Sequence, residues 1–218
     1  MESALPYPRA FNGQMGRRAL FLDLCYRLPF SAAIETGTFG GETTEFLLAS
    51  LSVPVFSVEL ERDRFELSEA RLAGYKQLRL RHGDSREFLR TLAKDVSCPS
   101  SEVFFYLDAH WNQDLPLREE LQVIFSHWSR TVVMIDDFQV PLDAGYGFDA
   151  YGHDQTLCLE FLASVLPAGT GVFFPTLPSG DETGARRGCV VLASATDVIS
   201  RLEACPGLYR HNQPIGGH

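Results

Sequence analysis

Apolar residues along the chain gather into short continuous runs separated by stretches of helical period. The runs fall at 32–37 (AAIETG), 55–60 (VFSVEL), 78–83 (LRLRHG), 103–108 (VFFYLD), 131–136 (TVVMID), 171–176 (GVFFPT) and 188–194 (GCVVLAS). Most are apolar at successive rather than alternate positions, the pattern of parallel strands buried on both faces. Between them, 41–51, 61–75, 84–95, 116–128 and 154–166 read as helices, and 17–28 (RRALFLDLCYRL) reads as a helix ahead of the first strand. Asp84 and Glu87 in DSRE fit a capping box, and Pro116 suits a first helical turn, where its missing N–H costs nothing. This alternation predicts an α/β fold: a three-layer Rossmann-like sandwich with a mostly parallel sheet. Only the Gly/Pro-rich loop 177–187 separates the last two runs. That is too short for a crossover helix, so these strands are expected to pair antiparallel at one edge of the sheet.

A chain of 218 residues makes one domain with an adequate core. Its expected parts are an N-terminal helical segment (1–30, with 5–16 a candidate lid), a Rossmann-like core (31–195) and a C-terminal tail (196–218). The net charge is −9 and no Lys/Arg stripe runs along any segment, so neither nucleic acid nor an anionic membrane is an expected partner. The apolar runs are strand-sized and do not span a bilayer. The first residues lack the layout of a secretory signal, and the five cysteines show no ligand spacing. A cytoplasmic protein with reduced thiols is expected, and a homo-oligomer is compatible with the sequence.

Ligands of such sheets bind beyond the C-terminal ends of the strands. Each of the first five strands delivers a carboxylate there: Glu35 in ETGTFGGET, Glu59, Asp84 in GDS, Asp108 in LDAH, and Asp136 and Asp137 in IDDF. Gly37, Gly40 and Gly41 let backbone approach a ligand closely. An acid at Glu59 suits both hydroxyls of a ribose. A dinucleotide fingerprint wants G-x-G-x-x-G, whereas these glycines fall as G-x-x-G-G, with Phe39 in the second glycine's place. A cofactor with a ribose and a cationic group fits better, and S-adenosylmethionine is one. Asp84 and Ser85 are placed to meet its adenine, with N-capping as their competing role.

Together ETGTFGG (35–41), Glu59, GDS (83–85), LDAH (107–110) and IDDF (135–138) resemble the motifs of class I S-adenosylmethionine-dependent methyltransferases. More narrowly they resemble metal-dependent sugar O-methyltransferases of the macrocin O-methyltransferase type, and more distantly catechol O-methyltransferase. The resemblance implies a seven-stranded sheet of order 3-2-1-4-5-7-6 with strand 7 antiparallel. It also places Glu35, Gly37 and Thr38 around the methionine moiety and Glu59 on the ribose, with Phe39 and Asp108 as further cofactor-binding residues.

Asp108, Asp136 and Asp137 stand where their carboxylates can converge, and such a set needs protons or a cation. With no Lys or Arg in either motif, a divalent cation is expected, Mg²⁺ first and Mn²⁺ or Ca²⁺ as alternatives. It would acidify a hydroxyl of a small sugar or other vicinal diol and orient it toward the methyl group. His110 is the candidate general base and Asp108 its neighbour at the reacting centre, with Asp114 and His153 as weaker candidates. The catechol enzymes carry a lysine base three residues past the first aspartate, a position held here by Trp111. The loop 141–154, with Tyr146, Phe148 and Tyr151, is expected to border the acceptor. Rival readings are a metal-independent methyltransferase whose acids bind an amine, a nicotinamide-dependent oxidoreductase, and a non-catalytic scaffold.

Overall fold

The computed structural model describes residues 9–109, 114–152 and 155–213. A 3-10 turn over Ala10–Gly13 leads into α1 (Met15–Arg27), then β1 (Ala32–Thr36), α2 (Glu42–Ser50), β2 (Val55–Glu59), α3 (Arg62–Leu72), β3 (Leu78–His82) and α4 (Ser85–Leu92). There follow β4 (Val103–Leu107), α5 (Leu117–His127), β5 (Thr131–Ile135), α6 (Leu159–Leu162), β6 (Gly171–Pro175), β7 (Val190–Ala193), α7 (Thr196–Glu203) and β8 (Leu208–Arg210). The sheet order is β3-β2-β1-β4-β5-β7-β6-β8. β1 to β5 run parallel, while β7 lies antiparallel to both β5 and β6.

Residues of β1, β2, β4 and β5 are buried on both faces, which is why their sequences are apolar throughout. Alternate side chains feed two cores. Ile34, Phe105 and Val133 pack with Leu89, Leu121 and Ile124 from α4 and α5. Phe104, Tyr106 and Met134 pack with Phe21, Leu24, Leu47 and Leu202 from α1, α2 and α7. The edge strand β3 is only half covered, and its alternating LRLRH reflects that.

Four expectations need correcting. The sheet has eight strands, not seven, because Leu208–Arg210 adds antiparallel to β6. Residues 196–213 are therefore no tail: α7 and β8 finish the core, and the β6–β7 pair is not at the edge. An open β6 ladder would template association, and β8 covers it. The helix expected over 154–166 shrinks to Leu159–Leu162. The backbone before it is spent elsewhere: Leu157 N donates to Asp149 O (2.9 Å) and Leu157 O accepts from Gln139 N (2.8 Å). These bonds fold the 138–158 loop onto itself beside the strand ends.

The 3-10 turn is anchored rather than free. Phe11 is fully buried, with ring centroids 5.0 Å from Tyr106 and 5.7 Å from both Phe21 and Phe46. Burying one such ring contributes roughly 2–3 kcal/mol. Residues 9–16 thus form a fixed wall, while 5–8 of the candidate lid lie outside the described residues. Among the described residues no helix is long and apolar enough to cross a membrane.

Candidate functional site

The C-terminal ends of β1, β2, β3, β4 and β5 open into one cavity of about 720 Å³. Gly37, Thr38, Phe39, Glu59, Asp84, Ser85, Asp108 and Asp137 all line it. Asn12, Phe39 and Asp137, three of the six non-glycine residues with positive φ among those described, also face it. Such strain persists where surrounding structure enforces it and gathers at functional sites.

The glycine-rich turn is tethered to β2. The amides of Gly37 and Thr38 both donate to the Val58 carbonyl, at 3.1 and 3.2 Å. Gly37 has φ +87°, and a Cβ there would collide with the Asp108 carbonyl, so a glycine is required. Glu59 Oε2 accepts from Phe39 N (2.7 Å) and Oε1 from Glu61 N (2.8 Å). Each oxygen retains a lone pair for a diol. Beneath the turn, Glu35 is fully buried. Its Oε2 accepts from Thr44 Oγ1 (2.5 Å) and Ser57 Oγ (2.6 Å), Thr38 Oγ1 bonds Ser57 Oγ (2.6 Å), and Glu35 Oε1 has no partner among the described residues. Burial raises its pKa to about 7 against the pull of those two hydroxyls, and the charge of Glu59 adds to the rise. Ser57 and Thr44 escaped the sequence reading because a Ser or Thr in a strand or helix carries no signature of its own.

Asp84 caps α4, accepting from the amides of Arg86 and Glu87. Arg86 grips Asp84 Oδ2 at 2.5 Å and reaches on to Asp114 at 2.8 Å. The capping role of Asp84 is thus realised, and Ser85 occupies the first position of α4 at the cavity wall. Acids along the cavity outnumber Arg9, Arg64 and Arg86 three to one. That bias suits a cationic ligand and opposes a pyrophosphate.

At the other end the structure shows what the motifs hid. Asp136 is fully buried. Its Oδ1 accepts from Arg17 Nη1 at 2.5 Å, and its Oδ2 accepts from Tyr106 OH at 2.5 Å and Asn12 Nδ2 at 3.0 Å. Burial works against its charge, but Arg17 and these hydrogen bonds outweigh it and hold its pKa below the usual range. Asp137 pairs with Arg187 Nε, and Arg187 Nη2 pairs with Asp149. Asp108, half-buried at the cavity floor, has a pKa pushed well up by burial and then by Asp136, Asp137 and Glu35. His110 and His153 lie outside the described residues.

This donor set does not fit a divalent cation. Metal ligation needs oxygen lone pairs turned to a common point and free of fixed donors, and three of the four lone-pair sites of Asp136 go to Arg17, Tyr106 and Asn12, with the Arg17 cation itself in contact. Among the described residues no group of three or more His, Cys, Asp or Glu side chains is arranged to hold a metal ion. The counter-charges lie outside the two motifs, on α1 and in the loop before β7. One signal pointed to Arg17. It shares a helical face with Leu20, Phe21 and Leu24, so α1 carries a cation on its buried stripe.

A fit to S-adenosylmethionine is supported by the open lone pairs of Glu59, the close-approach turn at Gly37 and the acidic lining. No family model matches the chain, and no curated protein sequence does. Solved structures do resemble it. An O-methyltransferase from Bacillus cereus in complex with SAH matches at TM-score 0.59 and 16% identity, over 82% of this chain and 81% of that one. TomG from Streptomyces achromogenes, an O-methyltransferase involved in tomaymycin synthesis in complex with SAM, matches at 0.56 and 20%, over 82% and 80%. Spermidine synthase from Thermotoga maritima matches at 0.53 and 13%, over 87% and 62%. The likeness establishes the fold alone, one that this chain shares with these O-methyltransferases.

Proposed function

We propose that this protein is an S-adenosylmethionine-dependent O-methyltransferase acting on a hydroxyl of a small acceptor such as a sugar or other polyhydroxylated compound. The carrying observation is Glu59. The amides of Phe39 and Glu61 hold its carboxylate in place, and it lines an acid-rich cavity above a glycine-rich turn. O-methyltransferases among the structural neighbours support the reading.

S-adenosylmethionine would supply an electrophilic methyl group on a cationic sulfur. Glu59 would hold the ribose hydroxyls, Gly37 and Thr38 would admit the methionine portion, and Ser85 with the α4 N-terminus would border the adenine. Asp108, at the end of β4 beside Gly37, has a raised pKa, which a cationic sulfur bound beside it would lower, leaving a carboxylate that can take the acceptor's proton at Oδ. The acid-lined wall favours positive charge in the cavity and disfavours a dinucleotide phosphate. Phe39, Leu60 and Pro116 add apolar surface that limits water.

Calorimetry tests the reading. S-adenosylmethionine and S-adenosylhomocysteine are expected to bind the wild-type chain, and Glu59→Gln is expected to weaken both by about tenfold or more, the cost of a lost charged hydrogen bond. Binding of NADH with none of S-adenosylmethionine would overturn it. Radiolabelled methyl transfer across sugars, diols, phenols and amines then locates the acceptor, and transfer to amines alone would refute O-methylation.

A further inference from the structure

We infer that Arg17 and Arg187 take the electrostatic place of a divalent cation in this cleft, so that its acids are neutralised from within the chain and the site works without a bound metal. Arg17 Nη1 meets Asp136 Oδ1 at 2.5 Å with side-chain exposures of 2% and 0%. The other nitrogen, Nη2, donates to the backbone carbonyl of Arg187 at 2.6 Å. Gln14 clasps the same residue from both sides: its Nε2 donates to Arg187 O (2.9 Å) and its Oε1 accepts from Arg187 N (2.8 Å). The α1 N-terminus and the loop before β7 are thus bound together behind the acids. From that brace the Arg187 guanidinium reaches forward to Asp137 and Asp149.

Two fixed guanidinium charges match the charge of one divalent ion. An ion seated on Asp136 would stand in contact with Arg17 in a low-dielectric interior, where like charges repel strongly. A guanidinium differs from a metal in one functional respect: it donates hydrogen bonds in a rigid plane and cannot chelate two hydroxyl oxygens. The acceptor therefore need not be a vicinal diol, and a lone hydroxyl would serve. That consequence rests on the methyltransferase reading, whereas the ion-binding claim stands apart from it.

The test is Mn²⁺ binding to the full chain, followed by electron paramagnetic resonance after chelator treatment, beside calorimetry of S-adenosylhomocysteine. Wild type is expected to show no Mn²⁺ site that Asp137→Asn removes, and unchanged S-adenosylhomocysteine affinity with EDTA or with Mg²⁺. Arg187→Met removes a half-buried cation and is expected to raise Mn²⁺ affinity about tenfold or more, as is Arg17→Met where it folds. One Mn²⁺ per wild-type chain, lost in Asp137→Asn, would overturn the inference, as would no gain in Arg187→Met. Failure of S-adenosylhomocysteine to bind under any condition would instead sink the cofactor reading and leave the ion result standing.

Discussion

Glu35 makes stability depend on pH in a way that can be worked out from its surroundings. Its Oε2 takes both available hydroxyls and Oε1 takes none, so the ionised carboxylate is poorly compensated for full burial. The pKa rises from 4.5 to about 7. Below the lower value Glu35 is protonated in both states and carries no penalty. Between the two values the unfolded chain ionises while the native one keeps its proton, so the unfolded state binds fewer protons and stability falls as pH rises. At about 1.4 kcal/mol per pH unit the loss approaches roughly 3 kcal/mol by neutral pH, and it is constant above. For a chain of this size that is on the order of 6–12 °C in thermal midpoint. Urea unfolding at pH 4 to 8, read by tryptophan fluorescence, measures it for wild type and Glu35→Gln. The difference isolates Glu35 because the histidines cancel. The variant is expected to gain relative to wild type by about 3 kcal/mol as pH climbs through this window. Parallel stability curves would refute the reasoning.

Other outcomes follow from the same geometry. Arg17→Met strands a buried carboxylate and should cost about 3–5 kcal/mol in denaturant unfolding. Arg17→Met combined with Asp136→Asn should recover much of that, and strict additivity would show the pair to be uncoupled. Gly37→Ala places a Cβ against the Asp108 carbonyl at φ +87°. It should cost roughly 1–3 kcal/mol and abolish measurable S-adenosylmethionine binding by calorimetry. Asp84→Ala removes the α4 cap and should lower stability by about 1 kcal/mol, seen as a reduced urea midpoint with an unchanged slope.

How much of this was legible in the sequence depended on the range of the interaction that encodes it. The strands β1, β2, β4 and β5 and the carboxylates at their ends could be read from the chain, because burial on both faces leaves unbroken apolar runs and each run ends where the ligand face begins, while half-covered β3 showed as alternation. The glycine turn could be read too, since close backbone approach restricts residue type locally, and so could the place of Glu59 at the end of β2. The eighth strand could not: LYR is three residues long, and its pairing with β6 depends on an edge left open by the rest of the sheet. The helix over 154–166 had the right period, but a loop claimed its backbone. The acid cluster was the sharpest case. Asp108, Asp136 and Asp137 were identified from their motifs, yet their electrostatic state was decided by Arg17, which lies 119 residues from Asp136, and by Arg187, which lies 50 from Asp137. Local sequence specifies backbone preference and burial pattern, whereas the charge balance of a buried site is a sum over whatever the fold brings within a few ångströms. By itself, the sequence therefore determined the layers and the location of the cleft, while the order of the first seven strands came from the resemblance its motifs carry. Tertiary structure alone decided what neutralises the cleft, because Coulomb interactions depend on distance in space and not on separation along the chain.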